Sequence, residues 1–235
     1  MGSFPELFGT AIGLILAGDA GLTEVIALSL RVTLTALALA CLIGLPLGAL
    51  VGAFAFRGRA AVSVLLNALM GLPPVVVGLL VYLALSAAGP FGVLGLLYTP
   101  TAMIIAQTIL VTPIIAALTK QVVEDLHGEY AEHFASLGVS APTRVAALLW
   151  DARYSLLTVA LAGFGRAVAE VGAVMIVGGN INHVTRVMTT SIALETSKGN
   201  LHLALALGLV LLTIALVVNA AVMALRASAV RAAYA

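Results

Sequence analysis

The sequence has very little charge. Only 9% of its 235 residues are charged and 62% are hydrophobic, whereas about 25% of an average soluble domain is charged. The formal net charge of +1 excludes the basic field that holds nucleic acid, so no nucleic-acid partner is expected. The single cysteine, Cys41, excludes an intrachain disulfide and is expected to act as a small buried hydrophobe. Most of the chain is therefore expected to lie in lipid.

Two enzyme signatures are also missing. A phosphate-binding loop ends in Gly-Lys-Ser/Thr, but neither Lys120 nor Lys198 follows a glycine. No His-Glu-x-x-His zinc pattern occurs, and the histidines are scattered along the chain. We therefore expect a chain without catalytic activity, metal or cofactor, whose energy comes from a partner.

Long uncharged runs predict five membrane-spanning helices. A bilayer is crossed by about 20 apolar residues in a helix. The uncharged run Ala60–Thr119 is too long for one crossing, and the turn residues Ser86–Pro90 divide it. The predicted spans are residues 29–56, 62–85, 101–119, 154–177 and 201–225. The expected fold is an all-α membrane protein, with a transmembrane domain over residues 25–226.

The segments outside the spans predict the orientation. Phe4 to Leu16 is apolar but short, which favours an interfacial helix within an external segment of residues 1–24. Most basic residues fall in one set of segments: Arg57, Arg59, Lys120, Arg144, Arg153, Arg226 and Arg231. The positive-inside rule places that set in the cytoplasm. The N-terminus is then outside, and residues 227–235 form a cytoplasmic tail.

Small residues and prolines predict how the first two spans pack. Ala36, Ala40, Gly44, Gly48 and Gly52 recur every four residues and form a ridge with little side chain, on which another backbone can press. Pro46 is expected to kink the same helix. The sequence Gly71-Leu72-Pro73-Pro74 predicts that the helical backbone opens. This opening is either a kink at a packed interface or a bend beside a conduction path.

Lys120 to Arg153 is predicted to form a helix, a glycine turn and a second helix on the cytoplasmic side. It holds eight of the 21 charged residues. An apolar stripe follows spacings of three and four: Val123, Leu126, Tyr130, Phe134 and Leu137. Gly138 suits a helix end, and Ser140 suits the start of the next helix. The pattern fits either a surface hairpin on the membrane or a docking element for a soluble partner.

This loop resembles the permease subunits of ABC importers of the type I fold. Their cytoplasmic motif is Glu-Ala-Ala, three residues, Gly, nine residues, Ile, one residue, Leu-Pro. Here Glu132-His133-Phe134 stands at the Glu-Ala-Ala place, Gly138 matches the glycine, Leu148 replaces the isoleucine, and Trp150-Asp151 replaces Leu-Pro.

Longer stretches resemble the tungstate permease family, relatives of the molybdate permeases. They include LLWDARYSLLTVALAGFGRAVAEVGAVMIVGGNI, TRVMTTSIALETSKG, MGLPPVVVGLLVYLALS and LLYTPTAMIIAQTILVTPIIAAL. The resemblance covers the chain from about Ser29 onward, and it implies a prokaryotic inner-membrane protein. It also implies a homodimer of permeases, two cytoplasmic ATP-binding subunits and an extracytoplasmic solute-binding protein.

The resemblance also assigns residues to coupling. It implies that Glu132 to Gly138 belongs to the coupling helices, which enter a groove on the ATPase. We expect these residues to couple the chain to that partner: Glu129, Glu132, Phe134, Leu137, Gly138 and Ser140.

A charged pair and an external segment are candidates for the translocation path. Arg166 and Glu170 stand four residues apart in the fourth predicted span, where each charge costs about 2.5–3.5 kcal/mol. The pair is either a structural ion pair or part of the path, where Arg166 would briefly hold an oxyanion. Further candidates lie in or beside the polar segment Gly178–Asn200: Asn180, Thr189, Thr190 and Ser191. That polarity suits either ordinary solvation or a gate.

The preferred function is an importer permease for tungstate first and molybdate second, working by alternating access. One alternative is the same machine carrying another anion, such as sulfate or phosphate. A second is a secondary transporter driven by an ion gradient, although no internal repeat of spans is found. An intramembrane enzyme would need a catalytic constellation that Arg166 and Glu170 alone do not make.

Overall fold

The chain is helical in the computed structural model, which describes residues 4–18 and 20–233. Over these residues the elements are α1 (Phe4–Ala17), α2 (Ala20–Ala53), α3 (Arg59–Met70), α4 (Pro74–Leu85), a 3₁₀ turn (Gly92–Leu94), α5 (Pro100–Ser136), α6 (Ala141–Asp151), α7 (Arg153–Val168), α8 (Gly172–Gly178), α9 (Met188–Ser197) and α10 (Leu201–Ala233). No strand occurs in the described ranges. The predicted all-α class is confirmed.

Three helices among the described residues are long and apolar enough to cross a membrane: Ala20–Ala53, Pro100–Ser136 and Leu201–Ser228. Two pairs of shorter helices, α3 with α4 and α6 with α7, meet the same criteria only when each pair is taken together, which would give five spans. The number of spans and the external N-terminus remain predictions. The predicted helix at Phe4 to Leu16 is present as α1, and its place at the membrane surface also remains a prediction.

The chain divides into two compact units. The first unit comprises Met1–Thr35, Pro73–Gln107 and Ala167–Val218, and the second comprises Ala36–Leu72, Thr108–Arg166 and Asn219–Ala235. In the first unit α4 packs closely on α8. The contact is so close that a side-chain carbon on Gly78 would lie only 2.7 Å from Cα of Ala173. A second core of this unit joins Leu22, Met188 and Leu207.

In the second unit α2 packs on α5 through the predicted glycine ridge. A side-chain carbon on Gly44 would lie 2.9 Å from the Ile115 side chain, and one on Gly52 would lie 2.8 Å from the Lys120 carbonyl oxygen. The two backbones therefore approach as closely as glycine allows, which is how helices gain dispersion energy in lipid. The predicted ridge is confirmed.

The helices are interrupted at two places of interest, one that contains prolines and one that does not. The helix opens between Met70 and Pro74, as predicted from Gly71-Leu72-Pro73-Pro74. Interpreting residues 154–177 as one helix is wrong, because α7 ends at Val168 and α8 begins at Gly172. The helix that contains the third predicted span, in contrast, continues without a break to Ser136.

Candidate coupling element and translocation site

The candidate coupling element consists of residues 120–153: the end of α5, the turn after it, and α6. The turn is built around Gly138, whose φ of +59° is a left-handed conformation that favours glycine. The Val139 N–H donates to the Phe134 carbonyl at 3.3 Å and closes the end of α5. Ser140 is the N-cap residue of α6, and its hydroxyl contacts the Thr143 hydroxyl at 2.7 Å. The predicted helix, glycine turn and helix are confirmed.

A small apolar core fixes α6 against α5 and the end of α2. Ala49, Ala53, Val123 and Leu148 form its fully buried centre, and partly buried residues pack around it: Phe54, Leu126, Phe134, Val145 and Leu149. The apolar stripe predicted on α5 therefore packs partly within the chain. Tyr130 and Leu137, from the same stripe, are exposed.

Polar contacts brace the same core. The Arg144 guanidinium lies over the Phe54 ring at 5.6 Å and over the Phe134 ring at 5.7 Å. A cation over an aromatic face is stabilised by about 0.5–2 kcal/mol, depending on desolvation. The Tyr130 hydroxyl donates to the Asp151 carboxylate at 2.8 Å and ties α5 to the end of α6. Sequence reasoning missed Arg144 as a brace, because its aromatic partners lie on two other segments.

An arginine holds the start of α3 to the end of α2 and to α5. Arg59 donates to the carbonyl oxygens of Val51 (2.8 Å) and Gly52 (3.1 Å), near the C-terminus of α2. Arg59 also pairs with Glu124 at 2.9 Å, and Lys120 pairs with the same carboxylate at 2.8 Å. The base of the coupling element is thus anchored by charge as well as by packing.

The six candidate coupling residues divide into one internal contact and an exposed set. Phe134 is half-buried in the core just described, whereas the others are exposed: Glu129, Glu132, Leu137, Gly138 and Ser140. Leu137 has 75% of its surface exposed at the end of α5. The coupling element therefore exposes an apolar residue, Leu137, together with the carboxylates of Glu129 and Glu132, while its other end is fixed by internal contacts.

Glu170 is the most deeply buried acidic side chain near the candidate path, with 3% of its surface exposed. It lies in the break between α7 and α8. Its Oε1 accepts the N–H of Ala173 at 3.0 Å, so it satisfies a backbone donor at the start of α8. Its carbonyl oxygen accepts the Thr189 hydroxyl at 2.8 Å.

The single helix expected to carry both Arg166 and Glu170 ends between them, whereas their pairing remains a prediction. Arg166 is half-buried in the last turn of α7 and belongs to the second unit. Glu170 lies beyond the end of that helix and belongs to the first unit. A spacing of four residues places two side chains on one face only while the helix continues.

Glu170 lines a small polar cavity within the first unit. The cavity volume is about 10 Å³, close to the space that one water needs. Its buried polar residues are Ser29, Thr33, Gln107, Glu170 and Thr189. Gln107 donates from Nε2 to the Ala167 carbonyl at 3.2 Å, while its Oε1 has no partner among the described residues. Sequence reasoning missed Gln107 because it stands alone in an apolar run.

The remaining path candidates do not form one cluster. Thr189 bonds to Glu170, whereas the Thr190 hydroxyl accepts the Val187 N–H at 3.1 Å at the start of α9. Asn180 adopts a positive φ of 51°, and its Nδ2 donates to the Thr190 carbonyl at 3.4 Å. Ser191 lines a different cavity, with Leu22 and Leu207. Thr189 is thus hydrogen-bonded to Glu170 and Asn180 to Thr190, while the role of these residues in translocation remains a prediction.

Replacing Glu170 with alanine is expected to destabilise the protein. The change leaves the buried Ala173 N–H without its acceptor, which costs about 1–3 kcal/mol, whereas Glu170→Gln keeps an oxygen at the same place. The melting temperature of the purified protein, followed by circular dichroism, should fall clearly for the alanine variant and little for glutamine. Equal losses in both variants would show that the negative charge, rather than the hydrogen bond, is what the site requires.

Sequence comparisons place the chain among transport proteins. Residues 44–231 match the family described as "binding-protein-dependent transport system inner membrane component". The tungstate uptake system permease protein TupB of Peptoclostridium acidaminophilum is 42% identical, over 94% of this chain and 97% of that protein. TupB of Campylobacter jejuni is 39% identical, over 71% of this chain and 70% of that protein.

A third similar protein is described as an anion permease. A "probable anion ABC transporter permease protein" of Haloferax volcanii is 40% identical, over 86% of this chain and 91% of that protein. All three alignments cover at least 71% of this chain. The family match over residues 44–231 covers the coupling element and the candidate path together.

Proposed function

Because the chain belongs to the family of inner-membrane components of binding-protein-dependent transport systems, the permease subunits of ABC importers, we propose that it carries tungstate. The observation that supports this substrate is the 42% identity to a tungstate uptake permease over 94% of the chain. Molybdate, another tetrahedral oxyanion, is the second expected substrate. Selectivity resides mainly in an external solute-binding protein, so the permease itself needs no tight site.

The proposed mechanism is alternating access driven by two ATP-binding subunits that are separate chains. The permease works as a homodimer, and each copy presents its coupling element to one ATP-binding subunit. Closure of these subunits around ATP moves the two coupling elements together, and the bundle opens outward to accept the anion. Hydrolysis then returns it to the inward-open state.

The geometry of the coupling element supports this role. A lever transmits force only when its base is fixed, and Arg59 and the core around Val123 hold the base to α2. A docking surface must also be free, and Leu137 at the tip is exposed. The continuous helix α5 joins this tip to the segment predicted to cross the membrane.

Reconstitution of the permease in liposomes with its ATP-binding subunit and solute-binding protein tests the proposed substrate. ATP turnover should be stimulated by tungstate most strongly, by molybdate less, and by sulfate or phosphate hardly at all. The binding protein is saturated with each anion in turn, and liposomes without binding protein give the basal rate. Stimulation by sulfate or phosphate but not by tungstate would contradict the proposed substrate.

Arg166→Ala is expected to reduce uptake while the complex still assembles. An arginine at the path stabilises a passing oxyanion by charge-assisted hydrogen bonds, and losing about 1.5–3 kcal/mol lowers the rate about tenfold or more. Arg31→Ala is the matched control, because Arg31 is also in a predicted span helix and is exposed. Uptake of labelled tungstate and co-purification of the ATP-binding subunit are the two measurements. Unchanged uptake in the Arg166 variant would remove this residue from the path.

A further inference from the structure

A cavity of about 170 Å³ lies in the first unit, apart from the polar cavity at Glu170. It is lined by the beginnings of α2 and α10, by α9, and by the loop that precedes α9. Its apolar lining includes Leu22, Leu203 and Leu207, and its polar lining includes Arg186, Ser191 and Glu195. The space is several times the volume of about 30 Å³ that one water occupies in the liquid.

Two residues that line this cavity each carry a buried donor that has no partner among the described residues. The Arg186 guanidinium donates from one terminal nitrogen to Asn182 Oδ1 at 2.9 Å and from the other to the Asn180 carbonyl at 3.4 Å, but its buried Nε has no partner. Ser191 has 3% of its surface exposed, and its hydroxyl also has none. A buried donor without an acceptor costs about 1–3 kcal/mol. Both groups therefore call for a ligand that brings acceptor oxygens.

The nearby carboxylate does not satisfy these donors. Glu195 accepts from Lys198 Nζ at 2.9 Å and from Asn200 Nδ2 at 2.9 Å. The hydrogen bond from Lys198, and to a smaller extent the charges of Lys198 and Arg186, hold the pKa of Glu195 below its ordinary value, so this carboxylate remains charged. Arg186 donates its hydrogen bonds to two uncharged oxygen atoms, and the two cations Arg186 and Lys198 outnumber the one carboxylate of Glu195, so the group keeps a net positive charge that suits an anion.

The position of the cavity favours an amphipathic anion. Leu22 is in the first turn of α2, and Leu203 and Leu207 are in the first two turns of α10; both helices are apolar and long enough to cross a membrane. Because both helices are predicted to cross the membrane, a cavity at their ends is expected at the depth of the lipid headgroups. On α1, Ile15 packs against the same core, and Leu16 has 82% of its surface exposed. Apolar surface therefore borders the site.

We propose that this cavity binds the headgroup of a phospholipid. The phosphodiester oxygens accept hydrogen bonds from Arg186 Nε and from the Ser191 hydroxyl, and the acyl chains follow the leucines of α2 and α10. A free tungstate or phosphate ion has the same oxygen chemistry but would leave the apolar wall unfilled. The proposed site gives the buried Ser191 hydroxyl an acceptor, although Ser191 and Glu170 line different cavities.

Native mass spectrometry of the purified permease tests the proposal with three probes: dioctanoyl-phosphatidylglycerol, dioctanoylglycerol and inorganic phosphate. The phospholipid should bind measurably more tightly than either of the others. Arg186→Gln should weaken its apparent binding about tenfold and Ser191→Ala about threefold. Arg31→Gln, on an exposed part of α2, is the matched control and should bind as the unaltered protein does.

Each other outcome overturns the proposal in a defined way. Equal binding of dioctanoylglycerol would mean that the cavity holds only an acyl chain, and binding of inorganic phosphate alone at the strength of the phospholipid would identify a site for a free oxyanion. Unchanged binding in both variants would place the lipid elsewhere. If the Arg186 variant cannot be purified, the Ser191→Ala variant alone tests the proposal, because removing a single hydroxyl is expected to leave the fold intact. None of these results depends on which anion the permease transports.

Discussion

Replacing Gly48 with alanine is expected to cause the largest loss of stability of any single methyl addition to the α2–α5 contact. A side-chain carbon at this position would collide with the carbonyl oxygen of Ala116 and would lie 2.8 Å from Cβ of Thr119. The obstructing oxygen belongs to the backbone of α5, so no side-chain rotation can relieve the contact. Overpacking costs about 1–3 kcal/mol when side chains can move, and we expect at least the upper end here.

The melting temperature and the yield of folded protein measure this effect. Gly208→Ala is the matched control, because a side-chain carbon on this glycine of α10 meets nothing within 4 Å. The control should keep its stability or gain slightly, since alanine favours helix more than glycine does. A Gly48 variant as stable as the Gly208 variant would mean that the close approach of α2 to α5 does not hold the second unit together.

Replacing Leu137 with aspartate is expected to uncouple the permease from its motor without unfolding it. The side chain is 75% exposed, so the chain's own packing loses little. An apolar anchor buried in a partner is a common hot spot, and its loss costs about 2 kcal/mol or more, which weakens binding about thirtyfold. ATP-driven uptake should fall in proportion, while the melting temperature of the isolated permease should stay the same.

Co-purification of the ATP-binding subunit separates this effect from misfolding. Val93→Asp is the matched control, since Val93 is a similarly exposed apolar residue in the 3₁₀ turn, far along the sequence from the coupling element. The control should retain the subunit. Normal retention and uptake in the Leu137 variant would show that the tip of α5 is not the docking surface.

The helix, the glycine turn and the next helix of the coupling element could be predicted because their signals are local. The residue that ends α5 adopts a left-handed conformation, which glycine takes without strain, so Gly138 marks the turn. Pro142 is compatible with the first turn of α6. The close packing of α2 could also be predicted, since glycines every four residues form one face of a helix. These features follow from spacing and from backbone conformation alone.

The end of α7 could not be predicted, because one of the hydrogen bonds that hold it comes from Thr189, on another helix. No proline lies between Val168 and Gly172. The break is held by the Thr189 hydroxyl on the Glu170 carbonyl and by the Glu170 carboxylate on Ala173. Spacing alone therefore predicts a continuous helix through Val168 and Gly172, where the structure has a break.

The cavity lined by Ser191 was missed for the same reason. Its walls come from α2, from the loop before α9, from α9 and from α10, and α2 is far from the other segments along the chain. The sequence predicts one external group of polar residues between Gly178 and Asn200. In the structure, however, Thr189 donates a hydrogen bond to Glu170, whereas Ser191 lines a cavity with leucines of α2 and α10.

The most direct test of the account is tungstate uptake into liposomes that contain the purified permease, with its solute-binding protein outside, in the presence and absence of the ATP-binding subunit. Uptake is expected only when the subunit and ATP are inside, and none is expected with an imposed proton or sodium gradient alone. Uptake by the permease without the subunit would contradict it, because a chain moved by a separate motor cannot transport when the motor is missing.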